Sequence, residues 1–284
     1  MKNLVLVECP RDAMQGHKHW IPTPSKIKYI QSLLSVGFDV LDVGSFVSPK
    51  AIPQMSDTAE VLEGIDISKS SSKLLVIVAN LRGAEEAVKQ EKVTYLGFPL
   101  SVSENFQMRN THKTRNQAVL LVDELITLCK KNGKQLVVYL SMGFGNPYGD
   151  PWSINILMDW IDLLVQKGIK IISLSDTIGT AKTNDIGQIF KTALIQYPEV
   201  EIGAHFHTKP ENAFMKIKAA HDSGCFRFDA AIKGFGGCPM ASDHLTGNLP
   251  TEKLISYFNK QKIDLKIDPI KFEYSYNQSL KTFI

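Results

Sequence analysis

Short apolar runs alternate along this chain with longer segments in which apolar residues recur every three or four positions. Residues 4–9 form the first such run, rich in Val and Leu. In the segment that Pro24 opens, Ile27, Ile30 and Leu33 recur at helical spacing. The first pattern is typical of a buried strand, and the second is typical of a helix that packs along one face.

The same alternation continues to about residue 260. Helices are predicted between the strands, including one long helix over 105–131, and residues 13–23 are predicted to form a loop. Eight strands in strict alternation with helices favour a parallel sheet that closes on itself. The predicted fold is therefore a (β/α)8 TIM barrel, of the α/β class. The predicted strands lie at residues 4–9, 38–43, 73–79, 93–98, 134–140, 170–174, 200–205 and 226–230.

The domain organisation follows from the same pattern. Residues 1–260 are predicted to form one TIM-barrel domain, because no linker or change of composition divides them. Residues 261–284 are rich in Lys, Tyr and Phe and do not fit the repeat. We expect this C-terminal extension to pack on the barrel or at the interface with a partner subunit.

Composition narrows the class of protein. The chain has 284 residues, 44% hydrophobic and 21% charged, and its 32 Lys and Arg nearly balance 29 Asp and Glu. With no basic cluster, the charge balance argues against a nucleic-acid or membrane-surface partner. No run approaches the roughly 18–20 apolar residues of a membrane span. The four cysteines are dispersed, which favours reduced thiols and a cytoplasmic protein.

The end of the seventh predicted strand carries a candidate metal site. His205 and His207 are separated by one residue, so on a strand both imidazoles face the same way, about 6–7 Å apart. All active-site residues of such a barrel gather at the carboxyl ends of the strands. Polar residues at four other predicted strand ends therefore converge on this pair: Arg11 and Asp12, Asp42 and Ser45, Asp176 and Thr177, and Cys238 and Asn248.

The types of these residues indicate the chemistry. A carboxylate, two imidazoles and an amide oxygen suit Mg²⁺ or Mn²⁺, and Zn²⁺ is compatible with them. Two histidines and one carboxylate are also the ligands of non-haem iron oxygenases, so iron is kept as an alternative metal. Cys238 lies in a loop with three nearby glycines, where a thiol could give or take a proton at carbon.

Structural roles compete with these assignments. Arg11 and Asp12 could form a surface ion pair, Asp42 could cap a loop, and Asp176 could cap the helix that follows it. The remaining cysteines, Cys9, Cys129 and Cys225, are expected to be packing residues.

Several motifs resemble those of the 3-hydroxy-3-methylglutaryl-CoA lyase family, within the metal-dependent lyase and Claisen-condensing branch of TIM barrels. The resemblance covers roughly residues 4–260. The runs at 45–50 and 236–239 are specific to the lyases, whereas Arg-Asp and His-x-His belong to the wider branch. The motifs are Pro-Arg-Asp at 10–12, Ser-Phe-Val-Ser-Pro-Lys at 45–50, Ser-Asp-Thr-Ile-Gly at 175–179, His-x-His at 205–207, Gly-Gly-Cys-Pro at 236–239 and Gly-Asn-Leu at 247–249.

The resemblance implies an activity and a role for each residue. It implies cleavage of an acyl-CoA to acetyl-CoA and acetoacetate by a homodimer that uses a divalent cation. The cation would be held by Asp12, His205, His207 and Asn248, with His205 also counted as catalytic. Arg11 would stabilise an enolate, Cys238 would transfer protons, and Asp42 and Asp176 would act near the substrate hydroxyl. Gln15 and Ser45 would bind substrate.

Four positions depart from the family pattern, and the loop from Cys238 to Asn248 is one residue longer than usual. Ala13, Asp42, Thr208 and Met240 stand where the family usually has Gly, Glu, Asp and an aromatic residue. Two other functions are therefore kept open. One is a related aldolase or Claisen-type enzyme acting on a 2-oxo acid, for which Cys238 would be dispensable. The other is a metal-binding barrel that has lost catalysis and serves as a binding partner.

Overall fold

A computed structural model describes residues 3–237 and 246–283, and it contains a closed barrel of eight parallel strands. Each strand pairs with the next, and the first pairs with the eighth. The predicted (β/α)8 TIM barrel is confirmed. The strands are β1 (Val5–Glu8), β2 (Val40–Ser45), β3 (Lys73–Ile77), β4 (Val93–Ser101), β5 (Gln135–Ser141), β6 (Ile171–Asp176), β7 (Glu201–Phe206) and β8 (Arg227–Ala230).

The helices surround this barrel, and within the described ranges none is long and apolar enough to cross a bilayer. They are α1 (Pro10–Gln15), α2 (Thr23–Leu34), α3 (Thr58–Gly64), α4 (Leu81–Val88), α5 (Glu104–Thr111), α6 (Arg115–Lys131), α7 (Ile154–Gln166), α8 (Thr183–Gln196), α9 (Ala213–Asp222), α10 (Thr251–Lys260) and α11 (Pro269–Phe283).

Two predicted elements are wrong in detail. The single helix over 105–131 is two helices, because His112 ends α5 in the left-handed region (φ 55°) and Thr114 begins α6 with a capping box. Part of the predicted loop 13–23 belongs to α1, where Pro10 occupies the first turn. A six-residue helix is too short to show an apolar repeat in the sequence.

The barrel has two apolar layers. The larger one lies between the strands and the surrounding helices, as expected when parallel strands are covered on their outer face. The smaller one fills the barrel interior with side chains from alternate strand positions, among them Val7, Cys9, Leu75 and Tyr139. The interior is therefore packed below the rim that carries the strand ends.

Helix α11, in the C-terminal extension, packs beside α2. The ring of Phe283 lies 5.6 Å from that of Tyr29 and 4.7 Å from that of Phe235, centroid to centroid. The backbone N–H of Asp268 donates to the carbonyl of Val36 at 2.8 Å. These contacts favour the first of the two expected placements, and we propose that the extension completes the outer layer of the barrel.

Removing the ring of Phe283 should destabilise the whole barrel. We expect Phe283→Ala to lower the free energy of unfolding by about 3 kcal/mol, the usual effect of emptying a buried aromatic site. Ile270→Ala is the matched control on the same helix, because Ile270 is 78% exposed and should change stability by about 0.5 kcal/mol at most. Urea denaturation measures both. Equal effects of the two substitutions would contradict the proposed packing.

Candidate active site

A cavity of about 240 Å³ opens at the carboxyl ends of the strands. It lies on the rim where the sequence predicted the chemistry to gather. Its apolar wall includes Ile52, Ile77 and Phe106. The polar side chains predicted for the site that line it are Arg11, Asp12, Gln15, Ser45, Thr177, His205 and His207.

Asp12, His205 and His207 form a group that suits a metal ion. One ligand atom from each lies within 4.8 Å of the others, and all three side chains are buried. The two imidazole ring centroids are 5.2 Å apart, closer than the distance expected from strand geometry alone. His205 belongs to β7 and His207 follows it, so one strand end delivers both rings to the first turn of α1, which carries Asp12.

The environment of His207 fits a metal ligand. Its Nδ1 atom is buried and has no hydrogen-bond partner among the residues that the structure describes. Burial lowers the pKa of His207 to about 4, so the ring is neutral near pH 7 and keeps a free lone pair. A neutral imidazole with an unpaired nitrogen is the form that binds a divalent cation.

Asn248 lies next to His207. The two residues form an isolated antiparallel bridge, and the Asn248 Nδ2 donates to the carbonyl oxygen of Phe235 at 2.8 Å. This bond orients the side-chain amide and leaves Oδ1 without a donor in the described residues. The backbone bridge thus places Asn248 beside His207 at the rim, and the four-residue ligand set of Asp12, His205, His207 and Asn248 stays a prediction.

His205 is oriented by a residue that the sequence did not single out. Its Nδ1 lies 3.1 Å from Oδ2 of Asp229, which also accepts from the hydroxyl of Ser173 at 3.1 Å. Burial alone would lower the pKa of His205, but Asp12 and Asp229 raise it to about 9. Carboxylates commonly orient metal-binding histidines in this way. Asp229 sits two positions after Arg227 in β8, and this polar alternation in a predicted strand could have indicated it.

Arg11 is buried against carboxylates, so the surface ion pair is excluded. Its Nε donates to Oδ2 of Asp42 at 3.0 Å, and its Nη2 bonds the same oxygen. Burial by itself would lower the pKa of Arg11, but Asp42 and Asp12 raise it above its ordinary value, so the guanidinium stays charged. Asp42 lies within β2, fully buried behind Arg11, and neither caps a loop nor lines the cavity.

Asp12 also depends on its neighbours. Its Oδ1 accepts from Nε2 of Gln15 at 2.7 Å, and its Oδ2 lies 3.4 Å from Nε2 of His205. Burial would raise the pKa of Asp12, but Arg11 and the two histidines hold it well below its usual range. The carboxylate is therefore ionised at neutral pH. Gln15 both lines the cavity and holds this carboxylate.

Two hydroxyl groups face the cavity without partners among the described residues. The Ser45 Oγ is buried and unpaired, and the same is true of the Tyr139 hydroxyl. The Tyr139 ring lies edge-on to His205, with centroids 5.5 Å apart. Ser45 was predicted for the site and Tyr139 was not, although its place near the end of β5 could have indicated it. Both are free to bind a polar ligand.

Asp176 is held away from the cavity. Its carboxylate bonds the ammonium of Lys216 and accepts from the backbone N–H groups of Thr180 and Ala181. It does not cap a helix, because α8 begins later, at Thr183. Lys216 occupies a core-facing position of α9 and also donates to the carbonyl of His207 at 3.2 Å. The neighbouring Thr177 does line the cavity.

Cys238 lies outside the described residues. The loop that leads to it passes very close to α1, because a Cβ on Gly236 would lie 2.3 Å from the carbonyl oxygen of Asp12. Gly236 also has φ +91°, a conformation that favours glycine. The other cysteines, Cys9, Cys129 and Cys225, are buried, as expected of packing residues.

The structure combines a TIM barrel with a rim group of Asp12, His205 and His207 that suits a metal ion, and the cationic guanidinium of Arg11 lies beside this group. The model of the HMGL-like family matches residues 6–275, and the chain belongs to this family. Hydroxymethylglutaryl-CoA lyase of Bacillus subtilis is 30% identical over 267 residues, covering 93% of this chain and 86% of the relative. The mitochondrial hydroxymethylglutaryl-CoA lyase of Bos taurus is 32% identical over 257 residues, covering 89% and 78%.

Solved structures agree with this family. A hydroxymethylglutaryl-CoA lyase from Acinetobacter baumannii, in complex with coenzyme A and 3-methylmalate, has a TM-score of 0.91 at 30% identity, covering 99% of this chain and 91% of that one. The lyase from Bacillus subtilis has a TM-score of 0.93 at 28% identity, covering 100% and 94%. Carboxyl transferase domains of Rhizobium etli pyruvate carboxylase, at 16–17% identity, show the fold alone.

The two imidazoles should titrate far apart in metal-free protein. We expect His205 to stay protonated at pH 7 and His207 to be neutral, and Asp229→Asn should lower the pKa of His205 because it removes a carboxylate that favours the imidazolium. Nitrogen-detected NMR of the histidine rings measures this. Asp222→Asn is the control, because it makes the same substitution at an exposed position of α9. A His205 pKa that does not change in Asp229→Asn would contradict the assigned contact.

Proposed function

We propose that the protein is a divalent-metal-dependent lyase that cleaves 3-hydroxy-3-methylglutaryl-CoA, or a related 3-hydroxyacyl-CoA, to acetyl-CoA and acetoacetate. The observation that carries this proposal is the meeting of a charged Arg11 with the Asp12, His205 and His207 group on one cavity. Membership of the HMGL-like family and the names of the relatives support it.

Asp12, His205, His207 and Asn248 would hold the cation, Mg²⁺ or Mn²⁺, with Zn²⁺ as the other compatible ion. When bound, such an ion would lower the cost of removing the proton from the tertiary hydroxyl of the substrate. Asp229 fixes the ring of His205, and Gln15 fixes the carboxylate of Asp12.

In the reaction the hydroxyl gives its proton to water, the bond between C2 and C3 breaks, and C3 becomes the ketone of acetoacetate. The electron pair of that bond forms an enolate on the thioester half, and Arg11 stabilises its oxygen with a fixed positive charge. Protonation at C2 then gives acetyl-CoA, and we assign this proton transfer to Cys238. His205 lines the same cavity.

The remaining predicted residues support these groups. Asp42 fixes the direction of Arg11, and Asp176 fixes Lys216, which bonds the carbonyl of His207. We therefore propose that both carboxylates act through their partners. Ser45 and Gln15 would contact substrate, since both line the cavity.

The structure of the Acinetobacter baumannii lyase with coenzyme A supports an acyl-CoA as the small-molecule partner. The Pseudomonas aeruginosa relative is named for 3-hydroxy-3-isohexenylglutaryl-CoA as well as the methyl compound, so acyl-CoAs with longer 3-alkyl groups belong in the substrate screen. The homodimer and the cytoplasmic location stay predictions.

The activity should require both the cation and Arg11. We expect acetoacetate to form from 3-hydroxy-3-methylglutaryl-CoA with Mg²⁺ or Mn²⁺ and to stop when the metal is chelated. Arg11→Gln should lower kcat by about 10²–10³, the usual effect of removing one group that stabilises an oxyanion. An enzyme-coupled acetoacetate assay measures this. Turnover of a 2-oxo acid with no cleavage of any acyl-CoA would contradict the lyase and favour the condensing enzyme.

The thiol has its own test. Cys238→Ala should slow acetoacetate release about 10²-fold or more, because a positioned general acid typically contributes about 10²–10⁴. Cys129→Ala, a change of the same size in α6, should keep full activity. Full activity in Cys238→Ala would remove the thiol from the mechanism while leaving the metal and Arg11 in place.

A further inference from the structure

The loop after β8 begins and ends at one short stem. The N–H of Ala231 donates to the carbonyl of Leu249 at 3.0 Å, and the N–H of Thr251 donates back to the carbonyl of Ala231 at 3.1 Å. Leu249 is also tied to Phe206 at the end of β7, through its N–H, at 2.9 Å. Asn248, one of the proposed metal ligands, therefore lies directly at this stem.

A buried carboxylate from β1 joins both sides of the stem. Glu8 Oε1 accepts from the N–H of Ile232 at 2.9 Å, and its Oε2 accepts from the hydroxyl of Thr251 at 2.5 Å. Ile232 opens the loop and Thr251 closes it. Glu8 itself is fully buried, on the outer face of the barrel rather than in the cavity. It thus contacts the two ends of the loop and none of the reacting atoms.

The burial of Glu8 lowers the stability of the barrel. No cation lies within ion-pairing distance of Glu8 in residues 3–237 and 246–283, and burial raises the pKa of Glu8 to about 8 despite the two hydrogen bonds. The neighbouring charge of Glu252 raises it further. The carboxyl group is therefore largely protonated at pH 7, and burying such a polar group still costs stability, whereas an apolar side chain would fill the same space without that cost.

The effect of Glu8 can reach Asn248 through few contacts. The N–H of Phe235 donates to the carbonyl of Ile232 at 3.3 Å, and the carbonyl of Phe235 accepts the bond that orients the Asn248 amide. The loop also packs closely on itself, since a Cβ on Gly234 would lie 2.7 Å from the carbonyl oxygen of Asn248. A shift of Ile232 would therefore move the group that orients Asn248.

We propose that Glu8 is a positioning residue of the metal centre, which holds the two ends of the loop after β8 so that Asn248 meets the cation beside His207. The inference rests on the proposed function for the metal ligand set. A purely structural role is the alternative, because Glu8 also pairs with Ala230 between β1 and β8. In that case substitutions would lower stability and leave the metal centre unchanged.

Four variants separate these roles. Glu8→Ala removes both acceptors, and Thr251→Val removes one donor at almost constant volume. Glu8→Gln should preserve the stem, because its amide oxygen can accept from Ile232 while its amide nitrogen donates to the Thr251 hydroxyl. Ser72→Ala is the control, since it removes a buried hydrogen bond to Phe38 at the opposite end of the barrel.

Two measurements without acyl-CoA test the variants. Mn²⁺ affinity of the metal-free protein, followed by electron paramagnetic resonance, should fall about tenfold in Glu8→Ala and less in Thr251→Val, as is usual when a supporting residue of a metal site is removed. Amide hydrogen exchange should quicken in residues 231–237 and 246–251 and stay unchanged elsewhere. Glu8→Gln and Ser72→Ala should resemble the native protein in both measurements.

Unchanged Mn²⁺ affinity in Glu8→Ala and Thr251→Val would overturn the inference, even if their thermal midpoints fall. If Glu8→Ala does not fold, the Mn²⁺ affinity of Thr251→Val is compared with that of Ser72→Ala, and this comparison alone tests the inference. Native protein that binds Mn²⁺ but cleaves no acyl-CoA would defeat the proposed function and leave this test intact. If native protein binds no Mn²⁺, the inference is overturned together with the metal ligand set on which it rests.

Discussion

The burial of Asp12 is the constraint on which the rest of the rim depends. A carboxylate in this position is costly unless charged and hydrogen-bonding groups surround it. Arg11, Gln15 and His205 all contact it, and each of them is fixed in turn by another group or by the helix that carries it. The charges of the site therefore stabilise one another. They come from α1, β2, β7 and β8, and these elements lie side by side only because the barrel is closed.

This compensation has a chemical consequence. Asp12 is kept ionised and Arg11 is kept charged, while burial keeps His207 neutral. A cation that binds this group would find the carboxylate of Asp12 ionised and the imidazole of His207 neutral. Only His205 would have to lose a proton for the cation to bind. The guanidinium beside the group stays free of the metal and can serve an oxyanion that forms during the reaction.

The sequence could predict most of the rim because parallel strands bring their carboxyl ends together. His205 lies at the end of a recognisable strand, and His207, Asp12 and Arg11 each follow one, so their convergence could be predicted from the number and order of the strands. Asp229, Lys216 and Glu8 were missed for a different reason. Each acts on a partner far away in sequence, and the pairing depends on which side of a strand or helix faces which neighbour. The break at His112 was missed because it depends on one left-handed residue rather than on an apolar repeat.

The most direct test of the account is an anomalous X-ray diffraction map of crystals soaked in Mn²⁺. We predict one strong peak within bonding distance of Asp12, His205 and His207, with the side-chain oxygen of Asn248 beside it. A map with no peak at this group, or with a peak coordinated only by other residues, would contradict the metal centre from which the proposed lyase chemistry follows.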